Sequence, residues 1–185
     1  MFKRNKPAIV FLLKFVIVYA SLSAVYSYYL STYEQGEIPE VDAFTYEVAE
    51  ESSDLAKLFG FESSIEINDD EASVKFLFDG FYRVKIVEGC NGLSVMILFL
   101  AFIVAFGGRL RDKLFFIPLG IALIHISNIV RLTWLTYIYV YYYDYAQAFH
   151  DYVFPSIIYG MVFVLWVVWV NYFAFRVKKV NIYEK

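Results

Sequence analysis

Apolar residues gather into four long runs along the chain, and polar segments separate them. A helix of about 20 apolar residues crosses a hydrocarbon core of ~30 Å at ~1.5 Å per residue. The pattern therefore predicts an α-helical integral membrane protein with four transmembrane helices. The first run exceeds the ~7–15 apolar residues of a signal peptide, so we expect a retained anchor. The predicted spans are TM1 (8–30), TM2 (90–107), TM3 (114–143) and TM4 (153–175).

The segment 31–89 has a different pattern, and it holds 15 acidic residues. Asp42–Gly60 has apolar residues at helical spacing and a glycine that is typical of a helix end. Val74–Phe78 and Phe81–Val87 flank an Asp-Gly pair (79–80), which is a common hairpin turn. The segment is therefore predicted to be small and α+β, with a short helix followed by a β-hairpin.

Basic residues mark both ends of the chain and the short loop between the second and third predicted spans. Because basic loops favour the cytoplasmic side, this distribution predicts that both termini are cytoplasmic. The cytoplasmic parts are then the N-terminus (1–7), the loop (108–113) and the tail (176–185). The acidic segment (31–89) and a short polar loop (144–152) are predicted to lie outside.

Composition narrows the classes of function. Hydrophobic residues make up 60% of the chain, against roughly 45–50% in soluble domains. There is no basic stripe, zinc-ligand spacing or glycine-rich phosphate loop, which argues against nucleic-acid, metal and nucleotide-cofactor sites. The chain has one cysteine. It cannot form an internal disulfide, and an unpaired cysteine in an exported region indicates a reactive thiol.

This cysteine, Cys90, stands where the acidic segment meets TM2. Cys90 and Arg131 are each about 17 residues from the predicted cytoplasmic turn, or ~25 Å at ~1.5 Å per residue. Adjacent antiparallel helices would hold the two side chains at one depth, near the outer surface. His150 precedes TM4 on the same side. The spacing therefore predicts that these three residues converge.

The three residue types fit nucleophilic catalysis. A thiolate is favoured at helix N-termini and beside cations, as expected for Cys90. Arg131 offers a planar fork of donors for an oxyanion or a substrate carbonyl. His150 is suited to take and return a proton near neutral pH. The simpler explanations are an inert packed cysteine, an arginine that reaches the head groups, and a loop histidine.

Neighbouring residues are predicted to support this set. The backbone N–H groups of Asn91 and Gly92 would stabilise the thiolate or an oxyanion, and Gly92 would let a substrate backbone approach closely. Asn128 lies one turn before Arg131 and would orient it. His125, near mid-membrane, is expected to make a helix–helix hydrogen bond and to have no catalytic role.

The ordered set resembles the exosortase/archaeosortase family of membrane cysteine transpeptidases, and the chain is most similar to the short form called XrtF. The matching pieces are Cys90-Asn91-Gly92 opening a span, Asn128–Arg131 near the outer end of the next, and His150 before the last. Many members have serine where Asn91 stands, and larger members have more spans.

The resemblance implies a multi-pass protein of a prokaryotic plasma (inner) membrane, with its active site facing outside. It implies a protease or transpeptidase that cleaves a C-terminal sorting signal made of a short motif, a membrane span and a basic tail. Cys90 would be the nucleophile, Arg131 the carbonyl-orienting or oxyanion residue, and His150 the acid–base. The implied partners are exported proteins with that signal, membrane lipid and an acceptor molecule, with no cofactor, metal or nucleic acid.

Two other functions fit parts of the sequence. A non-catalytic membrane assembly factor would dock partners through the acidic segment. It predicts that Cys90→Ala is silent and that deletion of Asp42–Gly60 is not. A small channel or transporter is weaker, because Arg131 and His125 alone would line a polar path within the spans.

Overall fold

The computed structural model describes residues 6–33 and 40–174, apart from the side chain of Arg83. Most of this chain is helical, with one small antiparallel sheet. The predicted basic N-terminus (except Lys6 and Pro7) and the predicted tail (176–185) lie outside the described residues. The chain divides into two compact units. Of the described residues, the apolar unit takes 6–26, 93–124 and 159–174, and the mixed unit takes 27–33, 40–92 and 125–158.

Nine helices and strands, counted within the described residues, follow one another along the chain. They are α1 (Lys6–Ser31), α2 (Ala43–Leu58), β1 (Ser63–Ile67), β2 (Val74–Phe78), β3 (Phe81–Ile86), α3 (Leu93–Ala105), α4 (Leu110–Tyr141), α5 (Tyr143–Ala148) and α6 (Phe154–Val168). A 3₁₀ turn covers Glu88–Cys90, and π-helical segments cover Phe149–Val153 and Trp169–Ala174.

Three helical stretches of the described chain are long and apolar enough to cross a membrane: α1, α4 and Tyr143–Ala174. They occupy the places of the predicted TM1, TM3 and TM4. The predicted TM2 (90–107) is helical only over Leu93–Ala105, or ~20 Å at ~1.5 Å per residue. Gly92 accounts for the late start, because its φ of +81° is incompatible with a continuous helix from Cys90. The count of four spans and their orientation remain predictions.

The stretch 144–152, predicted to be a loop, is helical in the structure. α5 continues through the π-helical segment Phe149–Val153 into α6. No glycine or proline interrupts this sequence before Pro155. The wider π turns precede that proline, where the missing N–H and the ring would strain a regular helix. His150 is therefore held on a helix and not on a loop.

In the mixed unit, the helix and the hairpin predicted from the sequence are both confirmed. α2 begins after Asp42, whose side chain accepts a hydrogen bond from the Thr45 N–H at 3.0 Å. β2 and β3 pair across Asp79 and Gly80, whose φ values of 48° and 78° suit the hairpin turn. β1 adds a third strand on the other edge of β2.

The core of the mixed unit lies between the sheet, α2 and α4. Alternate residues of β2 point inward, as the two-residue period of a strand requires. Burying each large apolar side chain contributes about 1.5–3 kcal/mol. Cys90 is partly buried against this cluster. The fully or almost fully buried members are Val48, Ala49, Ala56, Val74, Phe76, Phe78, Ile86 and Leu132.

An ion pair at the edge of the sheet ties the hairpin to the preceding loop. Lys85 Nζ donates to both carboxylate oxygens of Glu71 at 2.9 Å. These hydrogen bonds hold the pKa of Glu71 below its ordinary value and raise the pKa of Lys85. Both groups are exposed, so water screens the pair and its contribution to stability is small.

The apolar unit packs through aromatic rings and small residues. The rings of Phe102 and Trp166 stack with centroids 4.4 Å apart. Gly120 lies against the ring of Phe99, and a Cβ atom there would stand 2.2 Å from Phe99 Cζ. Close approach of this kind is typical of helix packing in membranes, where small residues replace a hydrophobic driving force.

Candidate active site

Cys90 is the last residue of the 3₁₀ turn that follows β3. Its N–H donates to the Val87 carbonyl at 2.8 Å, so the end of the hairpin sets the position of the cysteine. The side chain is partly exposed and free of a disulfide. The thiol is therefore held by a short, hydrogen-bonded turn and remains open to a reagent or substrate.

The amide of Asn128, on α4, connects Cys90 with Arg131. Asn128 Nδ2 donates to the Cys90 carbonyl at 2.9 Å, and its Oδ1 accepts from Arg131 Nη1 at 3.2 Å. Asn128 is 1% exposed. A carbonyl on one side and a guanidinium on the other leave one orientation of the amide that satisfies both partners. The predicted contact between Asn128 and Arg131 is thus present, and it includes the backbone of Cys90.

Gly92 makes room for this amide. A Cβ atom at Gly92 would stand 3.1 Å from Asn128 Cγ, and the φ of +81° disfavours any residue with a side chain. The sequence suggested that this glycine admits a substrate backbone. The structure shows it buried against Asn128, where it allows the close approach of α4 to the cysteine turn.

Asn91 faces the opposite way, toward the start of α2. Its buried side chain donates to Thr45 Oγ1 at 3.0 Å, and Thr45 Oγ1 donates to Asp42 Oδ2 at 2.5 Å. Its backbone N–H donates to the Glu88 carbonyl at 3.2 Å within the turn. The N–H predicted to stabilise an oxyanion is therefore already engaged, and the side chain connects the cysteine turn to the N-terminus of α2.

Arg131 is half-buried, and part of its donor fork has no partner. Nη1 is held by Asn128, while the buried Nε makes no hydrogen bond to any described residue. A buried donor without an acceptor costs about 1–3 kcal/mol, and more when it is charged. This free N–H is suited to donate to an oxygen that carries negative charge.

His150 belongs to a second polar group. Its Nδ1 lies 2.8 Å from Asp151 Oδ1, and Gln147 Nε2 donates to Asp151 Oδ2 at 2.6 Å. A carboxylate on Nδ1 leaves Nε2 as the nitrogen that accepts a proton. Within the described residues, no hydrogen bond or ion pair joins His150 to Cys90 or Arg131. Asp151 and Gln147 were not predicted from the sequence as site residues, although their i,i+4 spacing on a helix could have indicated their contact.

His125, on α4, contacts α2. Its Nε2 is 2.7 Å from Glu51 Oε2 on α2, at a geometry that makes an ion pair but no aligned hydrogen bond. The expected helix–helix contact therefore exists, and its partner Glu51 belongs to the acidic segment. Among the described residues, no group of three or more His, Cys, Asp or Glu side chains could hold a metal ion.

Comparison with known proteins gives one match. A family model described as transmembrane exosortase (Exosortase_EpsH) matches residues 8–173. These residues are most of the chain and include the cysteine turn, Asn128, Arg131 and His150. No curated protein matches, and no solved structure matches.

Proposed function

The chain belongs to the transmembrane exosortase family, and from this premise we propose that it cleaves a C-terminal sorting signal from exported proteins. Membership indicates a membrane-embedded cysteine peptidase or transpeptidase of protein sorting. The proposal adds the catalytic set Cys90, Arg131 and His150. It also adds the short XrtF form and a multi-pass placement in a prokaryotic plasma membrane with the site outside.

One observation carries the assignment of the site. The Asn128 amide holds the Cys90 carbonyl and Arg131 Nη1 at hydrogen-bond distance, while Arg131 Nε is buried without an acceptor. An arginine whose role was only to extend to the lipid head groups would not need a hydrogen bond to Asn128, the residue that also binds the Cys90 carbonyl. The arrangement supports a nucleophile paired with a donor for negative charge.

The reaction then has two stages. The Cys90 thiolate attacks the carbonyl carbon of the scissile peptide bond, and negative charge develops on the carbonyl oxygen, where Arg131 stabilises it. Collapse breaks the C–N bond, and His150, which has taken the proton of the Cys90 thiol, gives it to the leaving amine of the C-terminal fragment. His150 then takes a proton from the second nucleophile as it attacks the thioester carbonyl, and the C–S bond breaks to release Cys90 as the thiolate, so His150 and Cys90 return to their starting protonation states. Water as this nucleophile gives hydrolysis, and an acceptor gives transpeptidation.

His150 is suited to this proton transfer through its neighbours. Asp151 engages Nδ1, and Gln147 holds the second oxygen of that carboxylate. The pair orients the ring so that Nε2 exchanges the proton with the leaving amine.

The test follows processing in cells. The reporter is an exported protein with a C-terminal apolar span and basic tail whose truncation depends on expression of this chain. Cys90→Ala, Arg131→Ala and His150→Ala should each leave the reporter full-length, while the protein still accumulates in the membrane. Arg111→Ala is the matched control, because Arg111 is exposed and lies far along the chain from the site. Normal processing by Cys90→Ala would contradict the proposal.

The second candidate is a non-catalytic assembly factor. It is favoured by α2, which exposes Glu47, Glu50 and Asp54 to a partner. On this alternative, Cys90→Ala is silent, and replacing these three exposed residues by Gln abolishes function. The same reporter therefore separates the two candidates.

A further inference from the structure

A groove of about 850 Å³ opens in the apolar unit beside the first turns of α1. Pro7, Val10 and Phe11 form one wall, and Ala105 and Phe106 at the end of α3 contribute to the other. Sites for small organic molecules have volumes of about 300–1,000 Å³. The groove is therefore large enough for a substantial part of a lipid molecule.

Two lysines of α1 line the same groove. Lys6 and Lys14 are eight residues apart, which places them on one face of the helix and ~12 Å apart along it. Among the described residues, neither lysine forms an ion pair. Lys14 lies inside a predicted span, where a cation needs a partner, and its long side chain can return toward the N-terminal end of α1. Two unpaired cations thus stand at an apolar groove.

A third lysine, Lys113, binds the carbonyl groups at the C-terminus of α3, which would otherwise repel an anion in the groove. The C-terminus of α3 would present exposed carbonyl groups to the groove, and their dipoles would repel negative charge. Lys113 Nζ instead donates to the Val104 and Phe106 carbonyls at 2.9 and 2.8 Å. This end of the groove is therefore positive overall.

We propose that this groove binds an anionic phospholipid of the surrounding bilayer. The phosphate lies between Lys6 and Lys14, and an acyl chain lies along Val10, Phe11 and Phe106. Basic pockets between membrane helices commonly hold such head groups, and an ammonium group binds phosphate as a point charge. The shape of the groove selects an acyl chain, and its charge selects an anionic over a zwitterionic head group.

Native mass spectrometry of the purified full-length chain tests this site. The protein is equilibrated in detergent with equal amounts of phosphatidylglycerol and phosphatidylcholine of the same acyl composition. We expect the wild type to retain phosphatidylglycerol in about tenfold excess or more, because each of the two lysines favours an anionic head group by about fivefold. The double variant Lys6→Gln/Lys14→Gln should lose that preference, and Lys57→Gln, which removes a lysine already paired with Asp54, should keep it.

A second pair of variants separates shape from charge. Ala8→Trp fills the groove without changing charge and should abolish retention of both lipids. Ala20→Trp is the control, because Ala20 is exposed on α1 but does not line the groove. Equal retention of the two lipids by the wild type, or undiminished phosphatidylglycerol retention by the double glutamine variant, would overturn the assignment. Lipid retention does not require Cys90, so the result is independent of the proposed activity.

Discussion

The apolar unit and the mixed unit hold their shape by different means. In the apolar unit, the helices pack through the sizes and shapes of their side chains, as in the ring stack of Phe102 on Trp166 and the contact of Gly120 with Phe99. In the mixed unit, buried amides hold the cysteine turn: Asn91 on Thr45 and Asn128 on the Cys90 carbonyl. Contacts between apolar side chains have no preferred direction, whereas a hydrogen bond requires a particular distance and angle between donor and acceptor. The difference places the proposed chemistry in the unit where polar contacts control geometry.

The largest expected effect tests the polar contacts of the mixed unit. Arg131→Lys should lower the processing rate by about 100-fold or more, because an ammonium group cannot both hold Asn128 and present a second donor. The rate of reporter truncation measures this, and membrane abundance should not change. Arg111→Lys, at an exposed position, should process normally. A wild-type rate for Arg131→Lys would show that the charge alone matters.

Gly92→Ala tests whether the turn and α4 must approach closely. A Cβ there meets Asn128 Cγ at 3.1 Å, and the φ of +81° adds strain, together about 1–3 kcal/mol. We expect about a tenfold loss of processing or more. Gly89→Ala is the matched control one turn earlier, because its Cβ meets nothing within 4 Å. Equal losses from both substitutions would rule out the steric explanation.

Gly120→Ala makes the corresponding test in the apolar unit. The new Cβ would stand 2.2 Å from Phe99 Cζ, and overpacking of this kind costs about 1–3 kcal/mol. Thermal unfolding in detergent should show the loss, while processing per folded molecule stays unchanged. Gly160→Ala, whose Cβ meets no atom within 4 Å, should not destabilise the protein. A large drop in processing per folded Gly120→Ala molecule would break the contrast between the units.

The smallest effect is expected at Asp151. Asp151→Asn keeps the shape of the side chain but removes the charge that faces His150 Nδ1. Because both side chains are exposed by two-fifths or more, water screens the pair, and we expect a loss of about three- to tenfold. Asp144→Asn, another exposed carboxylate of the same helical stretch, should have no effect. Identical rates for both variants would leave His150 without a positioning partner.

Local patterns in the sequence predicted the local structure. The Asp79-Gly80 turn and the helix within Asp42–Gly60 are decided by neighbours a few residues away, so both predictions were confirmed. The polarity of 144–152 suggested a loop, yet helix continuity depends on backbone breakers, and none occurs before Pro155.

Contacts between residues far apart in the chain could not be predicted from the sequence. Asn91 and Thr45 are 46 residues apart, and no periodicity relates them. The contact of Asn128 with Arg131 was predictable because i,i+3 spacing on a helix fixes it. The additional bond from Asn128 to the Cys90 carbonyl required the fold of α4 against the turn. The convergence of Cys90, Arg131 and His150, inferred from equal helical distances, stays a prediction.

The most direct test of the central claim is detection of a thioester on Cys90. Membranes containing the wild type and the reporter are analysed without thiol reductants, with and without neutral hydroxylamine, which cleaves thioesters. We expect a covalent adduct of the reporter whose acyl group maps by mass spectrometry to the peptide containing Cys90. The adduct should disappear with hydroxylamine and be absent from Cys90→Ala. Reporter truncation at the wild-type rate by Cys90→Ala, with no adduct in either protein, would contradict a nucleophilic role for Cys90.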